Sequence, residues 1–201
     1  MPRTTTRLMV GVAAAGVLVA AQTAMAHPGH SSPGANPIVT GALHPFSGAD
    51  HLLAMLASGL LAVRVGTRRA IWAVPMAFVG LMVVGGMLAF AGVPLPHVEW
   101  AIGLSVIVLA LAVAMLPRVP LAVAAGLVGV FAICHGHAHV AEIGGAALLP
   151  YAAGFVAATL ALHATAIGAG TLALRAERPS AVRWAGAAIA VCFALLLISN
   201  G

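Results

Sequence analysis

The 201-residue chain holds nine arginines, no lysine and four acidic residues, so charged side chains make up only 6% of it, while 62% of its residues are hydrophobic. A soluble domain carries about 25% charged residues, so this composition excludes a soluble enzyme and a nucleic-acid binder. The lack of lysine also excludes a Walker A phosphate loop and Schiff-base chemistry. The chain is therefore expected to lie in a lipid bilayer.

The first 26 residues have the pattern of a cleaved signal peptide. Two arginines stand before an apolar run at 8–21, and an A-x-A cleavage pattern occupies 24–26, as in a secretory leader. We expect cleavage after this pattern, which leaves a membrane domain at 27–201. An uncleaved first transmembrane helix is the alternative interpretation.

Six apolar stretches follow the leader, and each has about the 20-residue length that a helix needs to cross a bilayer. They lie near 40–63, 70–92, 98–116, 119–140, 147–173 and 181–199. The predicted fold class is therefore all-α, a polytopic membrane protein with six transmembrane helices.

The arginines of the membrane domain predict its orientation. Three lie between the first and second stretches, one between the third and fourth, and three between the fifth and sixth, while the other connections hold none. Cytoplasmic connections of membrane proteins are enriched in arginine and lysine. We therefore expect a bacterial inner-membrane protein whose mature N- and C-termini both face the periplasm.

The first stretch carries a cluster of ionisable residues, which are costly inside a membrane and usually functional. His44 and His51 are seven positions apart, so they share a face if the helix is continuous. Asp50 is a candidate metal ligand, or alternatively an anchor that fixes the tautomer of the neighbouring imidazole.

The fourth stretch carries a second cluster. At about 100° per residue, His135, His139 and Glu142 fall on one face of a helix, whereas His137 points nearly opposite. Two imidazoles and a carboxylate on one face predict a metal site, and His137 is left outside it. His163 in the fifth stretch lies at a similar depth and joins the candidate ligands, with a hydrogen-bonded packing histidine as its alternative.

Imidazoles and carboxylates without a thiolate suit Ni²⁺, Co²⁺, Zn²⁺ or Cu²⁺, and this donor set does not choose among them. The patterns HPxxGxDH at 44–51 and HGxAHxxE at 135–142 resemble the two signatures of the HupE/UreJ family of bacterial nickel/cobalt permeases. The resemblance covers most of the mature chain and continues in the fifth stretch, at Tyr151, Gly154, Phe155, Thr159 and His163. Val140 departs from the glycine that the family often has there.

The resemblance implies a secondary transporter that takes up Ni²⁺ or Co²⁺ and supplies a hydrogenase or a urease, with no resident cofactor. It also implies the ligand set His44, Asp50, His51, His135, His139 and Glu142. The expected partners are the divalent ion and membrane lipid, and the sequence does not give the oligomeric state.

An intramembrane zinc hydrolase is the alternative from another class, since a layer of histidines and acids could activate water on zinc. The segment from His139 comes near an HxxEH motif, but position 143 is isoleucine, and no HExxH is present. Neither Ser47 nor Ser58 is expected to pair with a histidine base. A membrane metal sensor or chaperone is a third possibility, which the absence of an extramembrane domain disfavours.

Overall fold

The computed structural model describes residues 36–116, 118–143 and 148–200, and the side chains of Ala141, Glu142 and Asn200 lie outside the described part. The leader predicted over 1–26 also lies outside the described residues. Its cleavage therefore stays a prediction.

The described residues form seven α-helices and one short 3-10 turn, with no strand among them. The elements are α1 (Pro37–Leu43), the 3-10 turn (His44–Phe46), α2 (Ala49–Val65), α3 (Ala70–Phe90), α4 (Val98–Met115), α5 (Leu121–Ile143), α6 (Leu148–Arg175) and α7 (Pro179–Asn200). Helices α3 to α7 are each long and apolar enough to cross a membrane, and α1 with α2 make a sixth span if the bent pair counts as one. The predicted all-α membrane fold is confirmed.

The first span is broken where the sequence suggested a continuous helix. Helices α1 and α2 meet at a bend of 77°. Pro45 lies in the 3-10 turn, where its missing N–H cannot continue a helical ladder, and Gly48 has the extended backbone that starts α2. The condition under which His44 and His51 would share a helical face is therefore not met, although the bend keeps both residues at the same junction.

Helix α2 is the centre of the bundle. It packs against α3, α4, α6 and α7, and most of its length from Leu53 to Val63 is buried. An apolar helix enclosed on several sides is a core element that holds its first turn in a fixed place. That first turn carries Asp50 and His51.

Close backbone contact joins α3 and α5. A methyl group added at Gly136 would overlap the carbonyl group of Met82, and one at Gly85 would overlap the carbonyl group of Ile133. Small residues let membrane helices approach to backbone contact. The two glycines therefore fix the position of α5 beside α3 at the level of its histidines.

Two arginines bind the C-terminal end of α4. Arg64 from α2 donates to the carbonyl oxygen of Leu116, and Nε of Arg183 from α7 donates to that of Ala114 at 2.8 Å. A helix leaves its last carbonyl groups without partners of its own, and these side chains supply them. We call this end of the bundle the arginine-rich end.

Candidate metal site

Three histidines from two helices meet at the start of α2. His51, His135 and His139 each offer a ligand atom, and these atoms all lie within 4.8 Å of one another. The ring centroid of His51 is 4.7 Å from that of His135 and 4.3 Å from that of His139. Below, these three residues are called the histidine cluster.

Asp50 fixes the tautomer of His51. Its Oδ1 accepts hydrogen bonds from Nδ1 and from the backbone N–H of His51, both at 2.8 Å. An imidazole that donates from Nδ1 carries its lone pair on Nε2. This Nε2 is buried and has no hydrogen-bond partner among the described residues, so it is the nitrogen available to an ion.

Ser105 of α4 fixes the tautomer of His135 in a similar way. Its hydroxyl lies 2.6 Å from the carbonyl oxygen of Ile102 and 3.0 Å from Nε2 of His135. A hydroxyl has one proton, which the shorter bond to the carbonyl takes, so Ser105 accepts from Nε2–H. The lone pair of His135 is then on Nδ1, which is buried and has no partner in the described part of the chain.

Both ring nitrogens of His139 are buried without a hydrogen-bond partner in the described structure. A buried polar group without a partner costs about 1–3 kcal/mol. Together with His51 and His135, the cluster gathers four such nitrogen atoms in one place. A bound cation would satisfy the lone pairs among them, so the donor set fits a metal ion.

His44 borders the cluster but is not one of the three. Its ring centroid lies 4.7 Å from that of His139 and 6.3 Å from that of His51. Tyr151 and Phe155 of α6 complete the wall on this side, and the Phe155 ring is 4.1 Å from His139. His44 thus lies beside the cluster, and its role as a ligand stays a prediction.

Two other predicted features of α5 have different outcomes. Glu142 belongs to the helix, but its side chain lies outside the described residues, so its ligand role stays a prediction. His137 is predicted to lie outside the site, and its Nε2 donates to the carbonyl oxygen of Val93 at 2.9 Å. It therefore faces the connection between α3 and α4.

The structure does not group His163 with the cluster. Its Nδ1 donates to the carbonyl oxygen of Thr159 at 2.8 Å, and its Nε2 accepts from the hydroxyl of Ser58 at 2.6 Å. The expectation that Ser58 has no histidine partner is wrong, because Gly59 lets α2 and α6 approach closely at this level.

Sequence reasoning missed Ser105, although one signal was available. It is the only hydroxyl residue in the apolar run of α4. A lone hydroxyl in a membrane helix often bonds across to a neighbouring helix. Its spacing from the histidines could not show which one it contacts.

The geometry defines a class of protein. It is a polytopic helical membrane protein in which two buried imidazoles and one partly buried imidazole converge, with one carboxylate beside them, at a break in a membrane span. Neutral imidazoles suit borderline divalent ions of the first transition series.

Comparison with known proteins gives the family. The family model described as HupE / UreJ protein matches residues 14–196. Protein HupE of Rhizobium leguminosarum bv. viciae is 44% identical over 165 residues, which are 82% of this chain and 86% of that protein. No solved structure matches the chain. The chain belongs to the HupE/UreJ family, as its two histidine motifs predict.

Proposed function

We propose that this protein is an inner-membrane secondary transporter that takes up Ni²⁺, or Co²⁺, through the histidine cluster. The observation that carries the proposal is the convergence of buried ring nitrogens from His51, His135 and His139 within 4.8 Å. In hydrocarbon, polar groups without partners are expensive, so a cluster of this kind points to an ion that visits the membrane interior. The family membership supports the same function.

The broken first span supports transport in particular. Secondary transporters place their ion sites near the middle of the membrane at discontinuous helices, and here the 77° bend lies beside the cluster. An inward-negative potential favours entry of a divalent cation by about 4.6 kcal/mol per 100 mV, which is twice the value for one charge. Uptake thus needs no nucleotide site.

The proposed ligand set extends the cluster. His51 Nε2, His135 Nδ1 and His139 supply three ligands, and His44 and Glu142 are proposed as further ones. The hydrogen bond from His51 supports Asp50 as the residue that orients this imidazole rather than as a ligand.

We further propose that the leader is cleaved and that a hydrogenase or urease receives the metal, as the resemblance implies.

An intramembrane zinc hydrolase is the competing function. Three protein ligands with an open position are also the ligand set of catalytic zinc, and the cluster has this number. An apolar cavity of about 430 Å³ between α3, α5 and α6 reaches His139, so a hydrocarbon chain could approach. Family membership favours transport, and turnover of a lipid or peptide substrate by the purified protein would instead support the hydrolase.

Uptake by the purified protein in sealed vesicles tests the proposed function. With an inward-negative potential and micromolar NiCl₂, the wild type should accumulate Ni²⁺. His139→Ala should lower the initial rate by at least about 100-fold, since a ligand lost from a buried site leaves its neighbours without their ion. His137→Ala is the matched control, two residues away on the same helix, and should keep most of the activity.

Two results would contradict the proposal. One is a wild type that accumulates none of several divalent metals. The other is a normal rate for His139→Ala in vesicles that contain as much protein as the wild-type sample, because the cluster would then not be used.

A further inference from the structure

Besides the histidine cluster and Ser105, the described residues contain a second group of buried polar side chains. This group consists of Ser58, Thr159 and His163, whose exposed fractions are 0%, 0% and 1%. It lies where α2 packs against α6. Burial of polar groups in a membrane span is costly and usually marks an ion pathway or a packing contact.

The atoms of this group have lone pairs that suit a cation. Nδ1–H of His163 is held by the carbonyl oxygen of Thr159, so its lone pair is on Nε2, 2.6 Å from the Ser58 hydroxyl. That hydroxyl has a second acceptor, the carbonyl oxygen of Met55 at 3.2 Å. When it turns there, Nε2 and the Ser58 oxygen are left facing each other with free lone pairs. Thr159 lies one helical turn before His163 on α6, and its buried hydroxyl has no partner among the described residues.

The group lies on the line between the cluster and the arginine-rich end. Ser58 follows His51 by seven residues and precedes Arg64 by six, which at 1.5 Å per residue is about 10 Å and 9 Å along α2. Phe78 is fully buried and contacts one histidine of each group. Its ring centroid is 5.9 Å from that of His135 and 5.0 Å from that of His163. The second group therefore lies next to the histidine cluster, and Phe78 contacts both.

We propose that Ser58, Thr159 and His163 form a second, weaker binding position for the transported divalent cation, which it occupies between the histidine cluster and the arginine-rich end. The inference rests on the proposed function. One imidazole and two hydroxyls hold a borderline cation less firmly than three imidazoles. Conduction needs sites that bind an ion strongly enough for it to enter and weakly enough for it to leave. The second position, which binds the ion more weakly, lets it leave.

Thr159→Val separates this role from simple packing. The substitution keeps the side-chain shape and removes a hydroxyl that has no partner in the described structure, so a packing role predicts equal or higher thermal stability and unchanged uptake. A binding role predicts Ni²⁺ uptake into vesicles about tenfold slower, as for loss of a group that supports a metal, with stability not lowered. Thr165→Val is the control, since Thr165 lies exposed on the same helix and bonds only to its own turn, at Ala161.

Equilibrium dialysis of the purified protein against NiCl₂ supplies the second measurement. The wild type should show a tight and a weaker class of bound ion, and Thr159→Val should weaken only the weaker class. A single class in the wild type, or uptake at the wild-type rate by Thr159→Val, would overturn the second position while leaving the proposed function in place. Failure of the wild type to take up Ni²⁺ would instead defeat the proposed function.

Discussion

The hydroxyl of Ser105 determines which nitrogen of His135 faces the cluster. Ser105 and Ser58 are both buried serines bonded to a histidine Nε2, yet they act in opposite directions. Ser58 donates, because Nδ1 of His163 already gives its proton to a carbonyl oxygen. Ser105 accepts, because its proton goes to Ile102. In this hydrogen-bond pattern both ring nitrogens of His163 have partners, whereas Nδ1 of His135 presents a free lone pair.

This assignment predicts the effect of removing the Ser105 hydroxyl. In Ser105→Ala, His135 can take either tautomer, so the affinity for Ni²⁺ should fall about 10- to 100-fold, the usual cost of losing a group that orients a metal-binding histidine. Equilibrium dialysis measures the affinity. Ser199→Ala is the control, because Ser199 makes the same type of bond to the carbonyl oxygen of Leu196 without a histidine. Unchanged affinity in Ser105→Ala would contradict the role of Ser105 in fixing the tautomer of His135.

At the scale of helices, local patterns predicted a large part of the arrangement. Apolar runs of about 20 residues gave the spans, and the spacing of four between His135 and His139 gave their shared face, because both features depend on one segment alone. The partners of the histidines could not be predicted in this way. Ser105 and His135 are 30 positions apart, and Ser58 and His163 are 105 apart, so only the packing of helices brings them together.

The packing of α5 against α3 also gives a prediction. Gly136→Ala places a methyl group against the backbone carbonyl of Met82, so the helices must separate or shift, and overpacking of this kind costs about 1–3 kcal/mol. Thermal unfolding in detergent should show a lower Tm, accompanied by weaker Ni²⁺ binding because His135 and His139 flank this contact. Gly126→Ala is the control on the same helix, where nothing described lies within 4 Å of an added methyl group. Equal Tm values for the two variants would contradict the close approach.

At the scale of the whole molecule, the arginine-rich end and the histidine cluster lie at different levels along the bundle. Arg64 and Arg183 come from different helices and bind the same end of α4. Counted along α2, the histidine cluster lies about 20 Å from Arg64, using 1.5 Å per residue. If the arginine-rich end faces the cytoplasm, the cluster lies toward the periplasm and meets an ion that arrives from outside.

The orientation itself can be measured with reporter fusions in cells. The positive-inside rule predicts that a reporter fused after Arg69 is cytoplasmic, whereas one fused at Gly201 is periplasmic. A fusion after Gly92, in the arginine-free connection between α3 and α4, should match the one at Gly201. If the reporters at Arg69 and Gly201 fall in the same compartment, the number of spans between them is wrong. If all three readouts are reversed, the histidine cluster faces the cytoplasm, and the protein would have to bind its ion on the side from which export begins.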